Sequence, residues 1–93
     1  MNLEELRKQL DEIDIQLTTL MEQRLKICEQ VATYKIEHNK PVLDIEREKQ
    51  KIQAVRDLVT DERYQDAAEH LFTQIMEDSR VLQTELIKNK RSE

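Results

Sequence analysis

Three polar residues interrupt rows of apolar residues that would otherwise pack. Arg24 falls between Leu20 and Ile27, Glu48 between Ile45 and Ile52, and Ser79 between Ile75 and Leu82. A charge removed from water costs several kcal/mol unless it is paired or bound. Two readings follow: Arg24 and Glu48 neutralise each other or fix helix register, or the three residues line a chamber between helices that holds a ligand. Helical spacing fills in the second reading. Lys35 comes eleven residues after Arg24, ~20° around a helix and ~16 Å along it, so the two cations can contact opposite ends of one small molecule. Asp44, Arg47 and Glu48 share a helix face by their three- and four-residue spacing, and Gln83 follows Ser79 by one turn. Three cations, two carboxylates and two neutral hydrogen-bonding groups are thereby gathered around one cavity.

Arg7 stands apart. It precedes Arg24 by seventeen residues, which is ~25 Å along the same helix and roughly 100° around it. One small ligand cannot touch both from one chain. Arg7 is therefore either an exposed first-turn arginine or a residue that reaches a neighbouring chain's site.

The elements that must carry these residues are helices. From Leu3 the apolar positions run Leu6, Leu10, Ile13, Leu17, Leu20, Ile27, Val31 and Tyr34, the alternating three and four spacing of a packed helix seam. Nothing breaks it before "HNKP" at 38–41, where Pro41 disfavours helical geometry in the residue before it. A helix of roughly 35 residues is about 50 Å long, against ~30 Å for a compact globule of this size. It overhangs its own chain, and a dimer is the simplest remedy. Asp44 is an N-cap for a second helix, with Glu46 and Glu48 in its first turn, where the dipole favours acids. "TDER" at 60–63 is the next turn, with Thr60 or Asp61 capping a third helix through Tyr64, Ala68, Leu71, Ile75, Ser79, Leu82 and Leu86. The polar tail "KNKRSE" is expected to fray. The chain is expected to form a single domain over 1–93, all-α.

Composition excludes much else. The 93 residues include no glycine, which rules out phosphate-cradling loops, dinucleotide fingerprints and nucleophile elbows. With a net charge of −5, scattered cations and three aromatic residues, a nucleic-acid surface is not expected. No apolar run approaches the ~18 residues of a membrane span, and no signal peptide is evident. The one cysteine, Cys28, is most simply a small buried hydrophobe and fits a reducing cytoplasm. His38 and His70 have no further ligand at metal spacing, so neither metal nor cofactor is expected.

The pattern in "LRKQLDEIDIQLTTLMEQR", "VATYK", "VLDIERE" and "IMEDSRVLQ" resembles the all-helical class of chorismate mutase across essentially the whole chain. The ordered set Arg7, Arg24, Lys35, Asp44, Arg47, Glu48, Ser79 and Gln83 carries the resemblance. It implies an intertwined homodimer of three-helix chains, each site borrowing an arginine, here Arg7, from the partner. It also implies a reaction: the rearrangement of chorismate to prephenate on the route to phenylalanine and tyrosine, which needs no nucleophile, metal or redox cofactor. By the resemblance, Arg24 and the second chain's Arg7 hold the substrate carboxylates, supported by Arg47 and Ser79. Lys35 and Gln83 face the ether oxygen, and Asp44 and Glu48 bind the ring hydroxyl. Two rivals share parts of this pattern. An isochorismate-pyruvate lyase uses a similar scaffold, and a non-catalytic helical dimer would use the seam polars only for register and pair Arg24 with Glu48.

Overall fold

The computed structural model describes residues 1–92, with side chains through residue 90. Among these residues the chain forms three α-helices and one short 3-10 turn, without strands, so the all-α expectation holds. Asn2 starts α1 (Leu3–Glu37) by accepting the Glu5 amide at 2.9 Å, and Glu4 and Glu5 sit at the positive end of the helix dipole.

The stop of α1 lies where the sequence puts it, and the structure supplies the device. Asn39 adopts a φ of 52°, a left-handed conformation that asparagine tolerates better than other side chains in a chain without glycine. The Asn39 amide donates to the Ile36 carbonyl at 3.4 Å and the Lys40 amide to the Lys35 carbonyl at 2.8 Å, the bond pair of a Schellman cap. We expect Asn39→Gly to keep or raise stability and Asn39→Val to lower it by about 1–3 kcal/mol. Urea midpoints at unchanged slope are the measurement, and equal midpoints for the two variants would refute the account.

Asp44 caps α2 (Ile45–Leu58) as expected, accepting the Arg47 amide at 3.1 Å. After α2, Asp61 caps the 3-10 turn Glu62–Tyr64, and α3 (Gln65–Ser92) follows. The Arg63 side chain, hydrogen-bonded to Asp61, holds that carboxyl below the usual carboxylate range. This exposed contact stabilises the turn above the ordinary aspartate range and is lost as pH falls through the lowered value. Arg56 closes the corner between α2 and α3, pairing with Asp66 at 3.0 Å and Glu69 at 3.2 Å, while Gln65 Nε2 donates to its carbonyl.

The C-terminal tail departs from expectation. Helical backbone continues through Ser92, because no breaker interrupts it and half-buried Leu86 and Ile87 anchor the preceding turn. Glu93 lies outside the described residues.

Packing places α3 against both other helices, whereas α1 and α2 do not pack on each other among the described residues. The body is consequently flat, 56 × 27 × 14 Å, with a radius of gyration of 16.7 Å, well above the ~12 Å of a compact chain this long. Its core is thin: Cys28 and Ala32 from α1, Val55 from α2 and Met76 from α3 are the buried apolar residues among those described.

The seam of α1 is not where the chain's own core lies. Leu3, Leu6, Leu10, Ile13, Leu17, Leu20, Ile27, Val31 and Tyr34 remain 38–60% exposed, and every residue from 1 to 23 is exposed. Instead α1 meets α3 through a second row, Leu25, Cys28, Ala32 and Ile36, whose small members allow close approach. A helix can carry two apolar rows, and only one of them is used inside this chain.

Candidate active site

A charged face at the start of α2 explains the site's construction. Asp44, Arg47, Glu48 and Lys51 are spaced three, four and seven residues apart, so one face of the helix start presents four charged groups. Opposite them, α1 contributes Arg24, Cys28 and Lys35, and α3 contributes Ser79, Arg80 and Gln83. Together they line a cleft of about 360 Å³ whose apolar walls include Val31 and Met76. That volume is in the range of small-molecule sites.

Most of the cleft's polar groups are held by partners within the chain. Arg24 Nη1 donates to Ser79 Oγ at 3.0 Å and lies 3.7 Å from Cys28 Sγ. Ser79 Oγ donates in turn to the Ile75 carbonyl at 2.8 Å, so the hydroxyl is oriented by its own helix. Lys35 Nζ donates to the Val42 carbonyl at 2.9 Å and to Gln83 Oε1 at 3.4 Å. The Schellman cap at Asn39 turns the chain so that Val42 can reach this lysine. Ser79 and Gln83 are buried, and no buried side-chain nitrogen or oxygen among the described residues lacks a hydrogen-bond partner. Glu48 receives the Arg80 guanidinium across from α3.

Seven of the residues expected from the sequence therefore line one cleft: Arg24, Lys35, Asp44, Arg47, Glu48, Ser79 and Gln83. Arg7 does not join them. It sits near the start of α1 in a shallow surface depression with Leu3, Glu4, Lys8 and Asp11. The direct Arg24–Glu48 pair required by the register reading does not form, since Arg24 is engaged by Ser79 and Glu48 by Arg80. Sequence reasoning missed Lys51 and Arg80. The face-sharing rule that found Arg47 and Glu48 would have found Lys51. Arg80 gives no such signal, because a residue next to Ser79 points ~100° away on an ideal helix.

Chemically, five cations from one chain, Arg24, Lys35, Arg47, Lys51 and Arg80, face two carboxylates, Asp44 and Glu48. A positive cleft thus exists in a chain of net charge −5, and at contact range it outweighs distant, screened surface charge. It is suited to binding a small anion and to stabilising negative charge that develops near Lys35 and Gln83. Among the described residues no helix is long and apolar enough to cross a membrane.

No curated protein and no solved structure matched the chain. A family model did: residues 6–84 match the model described as chorismate mutase type II. That span takes in the greater part of all three helices and every residue singled out from the sequence, and so the chain belongs to the chorismate mutase type II family.

Proposed function

We propose that the chain converts chorismate to prephenate, as a homodimer in which Arg7 of each chain completes the other chain's site. The observation that carries the reading is the convergence of Arg24, Lys35, Arg47, Glu48, Ser79 and Gln83 on one cleft, added to the family match over residues 6–84. The rearrangement is unimolecular and concerted. One carbon–oxygen bond breaks while one carbon–carbon bond forms, and no group on the protein needs to attack. The protein's work is restraint and field.

Restraint comes first. The substrate is a dianion whose side chain must curl over its ring, and cations that fix both carboxylates remove the entropy of reaching that conformer. Arg24 is assigned to one carboxylate, a role supported by the Ser79 Oγ that steadies its guanidinium. The other is assigned to the second chain's Arg7. Negative charge then grows on the ether oxygen as the bond to it stretches. Lys35 Nζ is the donor for it, with the amide nitrogen of Gln83 beside it. Fixed donors aimed at developing charge lower the barrier because they need no reorganisation during the step. Asp44 and Glu48 take the ring hydroxyl.

Dimerisation is supported by the uncovered seam of α1. Nine apolar side chains from Leu3 to Tyr34 are 38–60% exposed, and a second copy of α1 would cover them by seam-to-seam packing.

The test is to incubate purified protein with chorismate and follow its loss, identifying prephenate by acid conversion to phenylpyruvate. Isochorismate is run in parallel with pyruvate as readout. Prephenate from chorismate is the expected result. Pyruvate from isochorismate alone would reassign the reaction while keeping the cation roles, and no turnover of either by a folded dimer would leave the cleft polars structural.

A finer prediction concerns Glu48. If it serves as a hydrogen-bonding partner of the ring hydroxyl, Glu48→Gln retains much of the activity and Glu48→Ala loses far more, on the order of tenfold or beyond. Steady-state kinetics of the two variants decide it, and equal losses would mean that the charge matters and the hydrogen bond does not.

A further inference from the structure

One ion pair in the cleft has a cation with no assigned part in the reaction. Arg80 follows Ser79 on α3, and its Nη1 donates to Glu48 Oε1 on α2. The side chains are 34% and 25% exposed, so the pair stands in the cleft wall and is not a freely solvated surface contact. Glu48 occupies a place in an apolar row, flanked by Ile45 and Ile52, and its carboxylate faces the space where an anion would bind. An unpaired carboxylate there would repel the ligand and would be free to choose among rotamers.

The neighbouring cations do not restrain it. Arg24 is engaged by Ser79 and Cys28, and Lys35 by the Val42 carbonyl and Gln83. Arg47 precedes Glu48 on α2, and Lys51 follows it by three residues, but neither is within ion-pair distance of it among the described residues. Among the described residues Arg80 alone grips the carboxylate, and it does so through one oxygen. A carboxylate has a second oxygen with its own lone pairs, and fixing the first gives the second a defined direction.

We infer that Arg80 is a positioning residue for the reaction: its guanidinium holds the Glu48 carboxylate so that the free oxygen accepts from the substrate's ring hydroxyl and the carboxylate's charge is offset toward the dianion. The inference rests on the chorismate reading above. It differs from a simple tie between α2 and α3, which would alter stability but not substrate binding. The hydroxyl contact exists in the ground state as well as the transition state, so its loss falls on KM more than on kcat.

The experiment measures kcat and KM for chorismate, together with urea unfolding, for the wild type, Arg80→Gln, Arg80→Lys, Glu48→Gln and the double variant E48Q/R80Q. Arg80→Gln is expected to raise KM roughly tenfold, the size of one charge-assisted hydrogen bond, and Arg80→Lys to recover part of it. Added to Glu48→Gln, the same change should cost less than about twofold, because two residues acting through one contact are not additive. An Arg80→Gln variant with unchanged KM, whatever its urea midpoint, overturns the inference. So does an undiminished loss in the Glu48→Gln background, which would make Arg80 a direct ligand contact. A wild-type chain that leaves chorismate intact overturns the chorismate reading itself, and that outcome is visible before any variant is compared.

Discussion

Lys35→Ala is expected to lower kcat for prephenate formation by about two to three orders of magnitude, the usual cost of removing one donor aimed at developing negative charge. The lysine is prepared for that part. Its Nζ is fixed by the Val42 carbonyl at 2.9 Å and Gln83 Oε1 at 3.4 Å, both neutral acceptors that steady the ammonium without cancelling its charge. Among the described residues no carboxylate lies within ion-pair distance of it to weaken its field at the ether oxygen. Because the charge to be stabilised appears only in the transition state, the loss should fall on kcat, with a smaller change in KM. Folding should survive, since Lys35 is only partly buried and the α1 cap uses its backbone carbonyl, not its side chain. Rates at saturating chorismate, with far-UV circular dichroism as control, make the measurement. A folded Lys35→Ala chain with wild-type kcat would remove Lys35 from the mechanism.

Arg7 and Arg24 give the second large effect, and a pattern that separates a shared site from two independent roles. Arg7→Ala and Arg24→Ala homodimers should each be nearly inactive, because both of their sites lack a carboxylate clamp. In a hybrid of the two chains, one site takes Arg24 from the Arg7→Ala chain and Arg7 from the Arg24→Ala chain. That site is intact, and the other lacks both. Random exchange in a two-fold dimer makes half the molecules hybrids, so about one quarter of all sites should recover. The observation behind this is the position of Arg7 on the unpacked half of α1, ~25 Å from Arg24 along the axis. Activity of the mixture is read after exchange has been verified by mass-tagged chains. No recovery would refute a site shared in this way.

Much of the architecture was legible in the sequence, for reasons that particular residues display. Asp44 caps α2 and Asp61 caps the turn before α3, because a short acidic side chain ahead of an apolar-periodic run has few other uses. Arg24, Glu48 and Ser79 could be singled out because each breaks a periodic row, and all three line the cleft. What stayed hidden depends on how helices meet. Periodicity revealed that α1 carries an apolar seam, but not that its contact with α3 would run instead through Cys28 and Ala32. Those small residues are silent in a search for large apolar ones. Spacing along one helix also cannot say which side chain opposes which on another, so the Glu48–Arg80 pair was invisible and an Arg24–Glu48 pair looked equally natural. The termination of α1 was visible through Pro41, whereas its actual device, the left-handed Asn39, required the backbone itself.

The arrangement in which α3 alone bridges the other two helices also bears on how the chain folds. Bonds that join α1 to α3, such as Arg24 to Ser79 and Lys35 to Gln83, close loops of 55 and 48 residues, and α1 and α2 have no packing of their own to form first among the described residues. As the chain leaves the ribosome, two helices must wait as separate amphipathic rods until α3 follows, with their apolar rows open to water or to other chains. Tertiary structure then arrives late and nearly all at once. Premature termination before Gln65 would leave α1 without its partner helix and the cleft without its α3 wall.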